Sequence, residues 1–592
     1  MTSEYWDKYW RRATSRRRFL GTGATLGAGA AGLALVGCGG DDDDGSGNGG
    51  DGEPTSAPSN GNGDGPRTGG TARYPLEGMS TGDPPTLFPF ENLTYTAQHP
   101  ATLHYSRLLT EVAGPDISPD DYTSLEGDIC EGLPEQPDDR TYIFTFRSNV
   151  MFHDKEPMNG RQATAEDFVQ TYDAFLALSQ NAGVYEDVIE GMDATDEQTL
   201  RITLREPFAP FLTIHASTPE GVWFIPVETI NNNQVQEDPV GTGPWVFQEY
   251  EPGVAMRWGR HENFHLEGQP YIPNVEAALF NDPQRIIAAL ESGDFDWSTL
   301  SGSVYQNASQ TLDPNGTEAF TGNGSFGAFY FNFDNDDGIW RDTRMRQALS
   351  MAMNRSAGLD TLDQTGQGDW FSPMCATNLA PFYLSPQSED FGENARFFEY
   401  NPEESRRLIQ EVTGQDSINV RVTGNIDRYG AAMQQAMEFW AAQMSEGGFN
   451  IELNYQEYGS YIQSTYLGDI PEGIGIGPLI GSPRDPNDIL SRNLASSSAR
   501  HTWGGTPIEE MGRIDEMIAE QRSILDPDER VQYIHDMQRE MAEYLLVVPY
   551  TASAGYSYAN PWVENMHWKN SYSVHLSTYA QAYFTQERID RG

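Results

Sequence analysis

Positive charge is scarce in this chain. Lys8, Lys155 and Lys569 are its only lysines, and 37 basic residues face 87 acidic ones over 592 positions, a formal net charge of −50. Nucleic-acid backbones and anionic lipid surfaces are held by basic surface, so those partners are excluded. The acidic excess reads as a solvated surface and names no ligand. Long hydrophobic runs are missing too. The mildly apolar stretch Gly21 to Gly37 is rich in Gly and Ala, and falls short of the ~20 strongly apolar residues that a membrane span requires. No repeat of 20–50 residues, no G-x-S-x-G elbow and no Walker loop is found. Many carboxylates could be imagined as a glycosidase pair, but the sequence gives no pair a geometry. What remains is bulk for packing: 38% hydrophobic and 11% aromatic residues. A chain of this length exceeds one core and fits about three or four domains.

The N-terminal region reads as an address. Thr14-Ser15-Arg16-Arg17-Arg18-Phe19-Leu20 resembles the twin-arginine export signal, with Arg16 and Arg17 as its pair. Leu35-Val36-Gly37-Cys38 resembles a bacterial lipobox, which implies cleavage before Cys38 and a lipid on its sulfur. Loss of residues 1–37 removes six basic and two acidic residues and leaves −54. Residues 38–69 then form a tether of Asp, Gly, Ser, Asn and Pro. The run Asp41 to Asp44 is read as self-repelling and solvated, not as a metal site. A flexible tether of ~30 residues reaches roughly 30 Å. The implied place is extracytoplasmic, in the periplasm or at the cell surface, anchored to the membrane by lipid.

Beyond the tether, α and β signals mix. Tyr142 to Arg147 alternates as a strand does. Thr164-Ala165-Glu166-Asp167 reads as a capping box ahead of the helically spaced Phe168, Val169, Tyr172, Phe175 and Leu176. Asn401-Pro402 opens a helix that Gly414 stops, and Asp526-Pro527 opens another with a stripe at Val531, Ile534, Met541 and Leu545. A strand, a helix over about 431–445 and a second strand between Val420 and Leu453 predict a parallel βαβ unit.

Five segments in one order carry a resemblance. Tyr142 to Phe168 contains FHDKEP followed by TAED. Pro239 to Trp245 reads PVGTGPW. Phe331-Asn332 leads through Asp342, Arg344 and Arg346-Gln347-Ala348 to Asn354-Arg355. Tyr400-Asn401-Pro402-Glu403 opens a helix, and Asp485-Pro486 follows a Gly-rich strand. In this the chain resembles the bacterial extracellular solute-binding proteins of the peptide and nickel group, family 5. The resemblance implies an α/β fold of two periplasmic-binding-protein-like lobes with mixed sheets, a hinge, and a small extra domain on lobe I. The implied parts are lobe I from 70–102, 226–325 and 553–592, the extra domain from 103–225, and lobe II from 326–552. It also implies a monomeric receptor without enzymatic activity or cofactor, delivering peptides or similar solutes to the permease of an ABC importer. Oligosaccharides or other amine-free solutes are the alternative. The two body cysteines, Cys130 and Cys375, would fall in different lobes, where a bridge would lock the hinge, so two buried free thiols are expected.

Two further readings follow. His261-Glu262-Asn263-Phe264-His265 fits the HExxH zinc signature, which would make the protein a secreted hydrolase. That chemistry needs both histidines on one helical face and a third ligand. Here strand and turn signals precede the motif, Gly268 and Pro270 follow it, and family members carry a loop at this place. The segment is therefore read as structural, with no metal. The second reading concerns the ligand. Peptide-binding members hold the peptide's amino terminus with an aspartate of lobe II, three residues before the acidic-Pro pair. In this chain that position is Ser482. A hydroxyl cannot neutralise an ammonium group. The expected cleft residues are Tyr95, Trp370, Asn425, Tyr429 and Ser482, with Asp485 as a carboxylate that a shifted loop could bring to the ligand.

Overall fold

A computed structural model describes residues 65–76, 83–119, 121, 124–179, 181–217, 221–279, 282–321, 326–363, 368–375, 379–479, 485–498, 501–552, 555–569 and 576–591. Arg16, Arg17, Cys38, most of the tether and Ser482 lie outside the described residues.

Strands gather into separate sheets, each on its own core. One four-stranded sheet runs in the order Thr71–Pro75, Asn274–Ala278, Ala255–Arg260, Trp245–Glu251, with the first pair parallel and the others antiparallel. Its core joins Tyr74, Trp245, Trp258 and Val275 to Val563 and Phe584 near the far end of the chain. An antiparallel sheet of Trp297–Ser301, Gly555–Ala559 and Thr317–Thr321 adjoins it. A further antiparallel sheet, Thr141–Thr145, Thr199–Leu204 and Ile189–Ala194, belongs to a core reaching from Phe88 to Val240. The five-stranded sheet has the order Phe449–Tyr455, Ile418–Gly424, Ile474–Leu479, Phe326–Phe331, Val548–Pro549. Its first three strands are parallel and the remainder antiparallel. Its core runs from Ala328 to Val548.

Local chemistry explains the main elements. The helix Ala165–Leu178 starts at a complete capping box, in which Thr164 accepts from the Asp167 N–H and the Asp167 carboxylate accepts from the Thr164 N–H. Asn401 caps Pro402–Thr413, and Gly414 closes it at φ 73°. The crossover helix Gly430–Glu446 joins parallel strands in which Val420 is paired with Ile451. One stripe residue falls outside its helix. Pro527–Tyr544 ends before Leu545, which turns left-handed at φ 45° while staying fully buried.

The chain passes twice between the Trp297–Ser301 sheet and the five-stranded sheet. It leaves after Thr317–Thr321 for Phe326–Phe331, and returns from Thr551–Ala552 to Gly555–Ala559. The bodies also meet elsewhere. The helix Gly302–Ala308 packs against Leu359–Asp363, and the Ala209 N–H donates to the Arg522 carbonyl at 2.8 Å. Cys130 and Cys375 are buried and unbridged.

Glycines in a turn such as Pro239 to Trp245 commonly supply backbone conformations closed to other residues. Neither Gly241 nor Gly243 has a positive φ. The reason for glycine is close approach instead. A Cβ on Gly241 would overlap the His104 carbonyl, and one on Gly243 would stand 2.6 Å from the same carbonyl carbon. The turn thereby seats the Tyr95–His104 helix against the start of the Trp245–Glu251 strand.

Candidate functional site

Ligands of open α/β sheets collect beyond the carboxyl ends of parallel strands. Three such ends occur in the five-stranded sheet: Gly424 and Tyr455 are opposite one another, and Leu479 lies three residues beyond their level on the third strand. Asn425 follows the first and is fully buried. Its amide donates to the Gln456 carbonyl at 2.8 Å and contacts Asp427, while its Oδ1 accepts from the Arg428 N–H at 3.0 Å. Asn425 therefore ties the ends of two strands together. Tyr429 stands at the start of the crossover helix, edge-on to Tyr458 and Tyr461 at 6.1 and 6.4 Å. Burial pushes its phenol up, so the hydroxyl stays protonated. The Arg428 guanidinium lies 5.3 Å from the Tyr458 ring centre.

Below this edge is a tyrosine cluster that the sequence reading missed. The Tyr330 hydroxyl donates to the Pro478 carbonyl at 2.7 Å, and that of Tyr461 to the Ile476 carbonyl at 3.0 Å. Tyr466 packs edge-on to Tyr330 at 6.2 Å. Room comes from Gly475 and Gly477. A Cβ on Gly477 would overlap the Tyr461 hydroxyl and stand 2.8 Å from that of Tyr330. The available signal was Ile474-Gly475-Ile476-Gly477, where small residues alternate along one face of a strand.

Trp370 lies on the short ladder of Asp369–Trp370 with Thr551–Ala552. It is buried, with no acceptor for its indole N–H among the described residues. Its backbone N–H donates to Asp369 Oδ1 at 2.7 Å. The Tyr383 hydroxyl donates to the Trp370 carbonyl at 2.5 Å and lies 3.1 Å from Asp369 Oδ2. Burial pushes the Asp369 carboxyl up, against the pull of those two donors.

Tyr95 belongs to the opposite body, at the first turn of Tyr95–His104. Its hydroxyl meets His99 Nδ1 at 2.8 Å, and the Tyr74 hydroxyl meets His99 Nε2 at 3.0 Å. Burial lowers His99 to about 3, so a neutral imidazole fixes Tyr95. Tyr74 in turn stacks on Trp297 at 5.1 Å. Of the expected residues, then, Asn425 and Tyr429 share one turn, Trp370 stands on a separate ladder of the same body, and Tyr95 stands on the other body.

Asp485 is engaged. Its two oxygens meet the Arg530 guanidinium at 2.5 and 2.6 Å, and Oδ1 also caps the helix Pro486–Ile489 at the Asn487 N–H. Both side chains are 5% exposed.

The HENFH segment is a series of turns, not a helix. His261 Nδ1 meets the Gly243 carbonyl at 3.1 Å, whereas His265 Nε2 meets Asp128 Oδ1 at 3.1 Å. Burial lowers His261 to about 4. The two rings serve different partners, and no group of three or more metal-ligating side chains occurs among the described residues. No helix among these residues is long and apolar enough to cross a membrane.

Comparison with known proteins follows the same lines. A family profile described as bacterial extracellular solute-binding proteins, family 5 Middle, matches residues 124–498. Di/tripeptide-binding protein 2 of Pseudomonas aeruginosa is 22% identical over 488 residues, covering 78% of this chain and 86% of that protein. Two solved structures share the fold. One is the oligopeptide-binding protein AppA from Bacillus subtilis in complex with a nonapeptide, with TM-score 0.68, 16% identity, and 88% and 100% of the two chains covered. The other is NikA from Brucella suis in complex with Fe(III)-EDTA, with TM-score 0.69, 17% identity, and 87% and 100% covered.

Proposed function

Because this chain belongs to the bacterial extracellular solute-binding proteins of family 5, we propose that its receptor role is the capture of short peptides for delivery to an ABC permease. The observation that carries the reading is the edge formed by Gly424, Tyr455 and Leu479, on a body joined to its neighbour by two chain crossings. Such a hinge lets two bodies close on a solute and open again. The Pseudomonas relative, a di/tripeptide-binding protein by name, favours peptides. Tyr95 would contribute from one side, and Trp370, Asn425, Tyr429 and Ser482 from the other. Asp485, neutralised by Arg530, would fix the following helix.

Mass spectrometry of the solute that co-purifies with the protein tests the reading, followed by calorimetry with a peptide pool and an oligosaccharide pool. Co-purified peptide and heat from the peptide pool are expected. Heat from the sugar pool alone would replace peptides by amine-free solutes, a reading that Ser482 favours because a hydroxyl suits a neutral ligand. Turnover that chelators abolish would support the hydrolase.

The anchor belongs to the same proposal. Arg16 and Arg17 would direct export, Cys38 would carry the lipid, and residues 38–69 would hold a monomeric body off the membrane. Cys38→Ser should free the protein from membranes, and its full retention after a high-salt wash would refute the anchor.

A further inference from the structure

Resting on the peptide reading above, we propose that Asp369 supplies the carboxylate that faces the ligand's ammonium group. An ammonium group taken into a cleft needs a counter-charge, since burial without one costs several kcal/mol. Ser482 has none to offer, and both oxygens of Asp485 are committed to Arg530.

The register puts Asp369 at the right end of the sheet. Leu479 is paired with Phe326, and Pro549 with Ala328 on the next strand. The chain then runs on to Ala552, which is paired with Asp369. Continued at this register, Phe326 is level with Thr551, whose partner is Trp370, so Asp369 lies one residue beyond the row of Leu479 and Phe326, at about three strand spacings of roughly 4.8 Å from Leu479.

Other acids near this edge are spent. Asp427 accepts from the backbone N–H groups of Arg428 and Tyr458 and contacts Asn425. Glu457 accepts from Gly459 and Ser460. Asp369 is different. It is half-buried, its recorded donors are the Trp370 N–H and the Tyr383 hydroxyl, and neither is charged. An ionised carboxylate has about four acceptor positions, so capacity remains. Beside it the buried Trp370 indole N–H lacks an acceptor among the described residues. A peptide's amino end offers the complement to both, an ammonium donor followed one residue on by a carbonyl acceptor.

The test is calorimetry of the full chain with trialanine and N-acetyl-trialanine. The native protein should bind trialanine and disfavour its acetylated form. Asp369→Asn should weaken trialanine binding roughly a hundred-fold, as expected for removal of one partner from a desolvated ion pair, and should leave the acetylated form unchanged. Where the Asn variant does not fold, Asp369→Ser removes the same charge and still accepts from the Trp370 N–H. A folded variant that binds trialanine as the native protein does would overturn the assignment while leaving peptide capture intact. Equal native affinity for the two probes would overturn it as well. Native protein that binds neither probe would remove the peptide reading and this inference together.

Discussion

Buried charges are held here by a counter-charge together with neutral partners, as where Arg530 meets Asp485 and also donates to Gln521. Asp485 and Arg530 are each 5% exposed and joined by two short bonds. Asp485→Asn would leave the guanidinium without its counter-charge, and the expected cost is about 3–5 kcal/mol. Urea denaturation checks this; a loss below about 1 kcal/mol would mean that water reaches the pair. Titration gives a second residue-scale prediction. Burial lowers His99 and His104 to about 3 and His215 and His261 to about 4, with the Lys155 charge adding to the effect at His104. Their folded values lie below the unfolded value of 6.5, so between these limits the unfolded chain binds more protons. The stability they confer is complete above about pH 6.5 and is lost as pH falls towards 4. The melting temperature should therefore drop between pH 7 and 5, before most carboxylates titrate; a flat profile would contradict the burial of these rings. In the sequence Asp485 reads as a carboxylate that a shifted loop could bring to the ligand, not as half of a buried ion pair. Its partner, 45 residues away, was not legible, since no local pattern marks an arginine that will be buried.

Strands and helices inherit what their neighbours leave them. The Ile474–Leu479 strand can lie under Tyr330 and Tyr461 because Gly475 and Gly477 give it no side chain there. Gly477→Ala should cost about 1–3 kcal/mol by overpacking. It should also weaken solute binding by moving the two hydroxyls off the carbonyls of Ile476 and Pro478. Gly512→Ala is the contrasting case. It lies inside the helix Glu510–Ser523 with open space around it, and should stabilise by roughly 0.5–1 kcal/mol. Thermal unfolding of both variants, with calorimetry on the first, decides; matching shifts in the two would remove the close-packing account. The βαβ unit was readable in advance because alternation and helical spacing are local signals. The tyrosine cluster was not, since Tyr330, Tyr461 and Tyr466 lie on separate elements that only the sheet order brings together.

Across the whole molecule, fold class was legible from five short motifs in order, whereas the site was not. A cleft is a relation between two bodies, and the sequence presents their residues one at a time: no local pattern relates Tyr95 to Trp370. The body built on Thr71–Pro75 also depends on the far end of the chain. Arg588 pairs with the buried Asp296, to which Trp562 also donates, and Phe584 fills the core beside Trp245. Synthesis therefore sets an order of completion. The first strand emerges early, yet its body lacks its last ion pair until residue 588 has been added, on the order of one minute later at roughly 5–20 residues per second. The core from Ala328 to Val548 is already whole by then. The body that begins first is finished last, and until it is, the neighbouring body presents its tyrosine-backed edge with nothing to close against it.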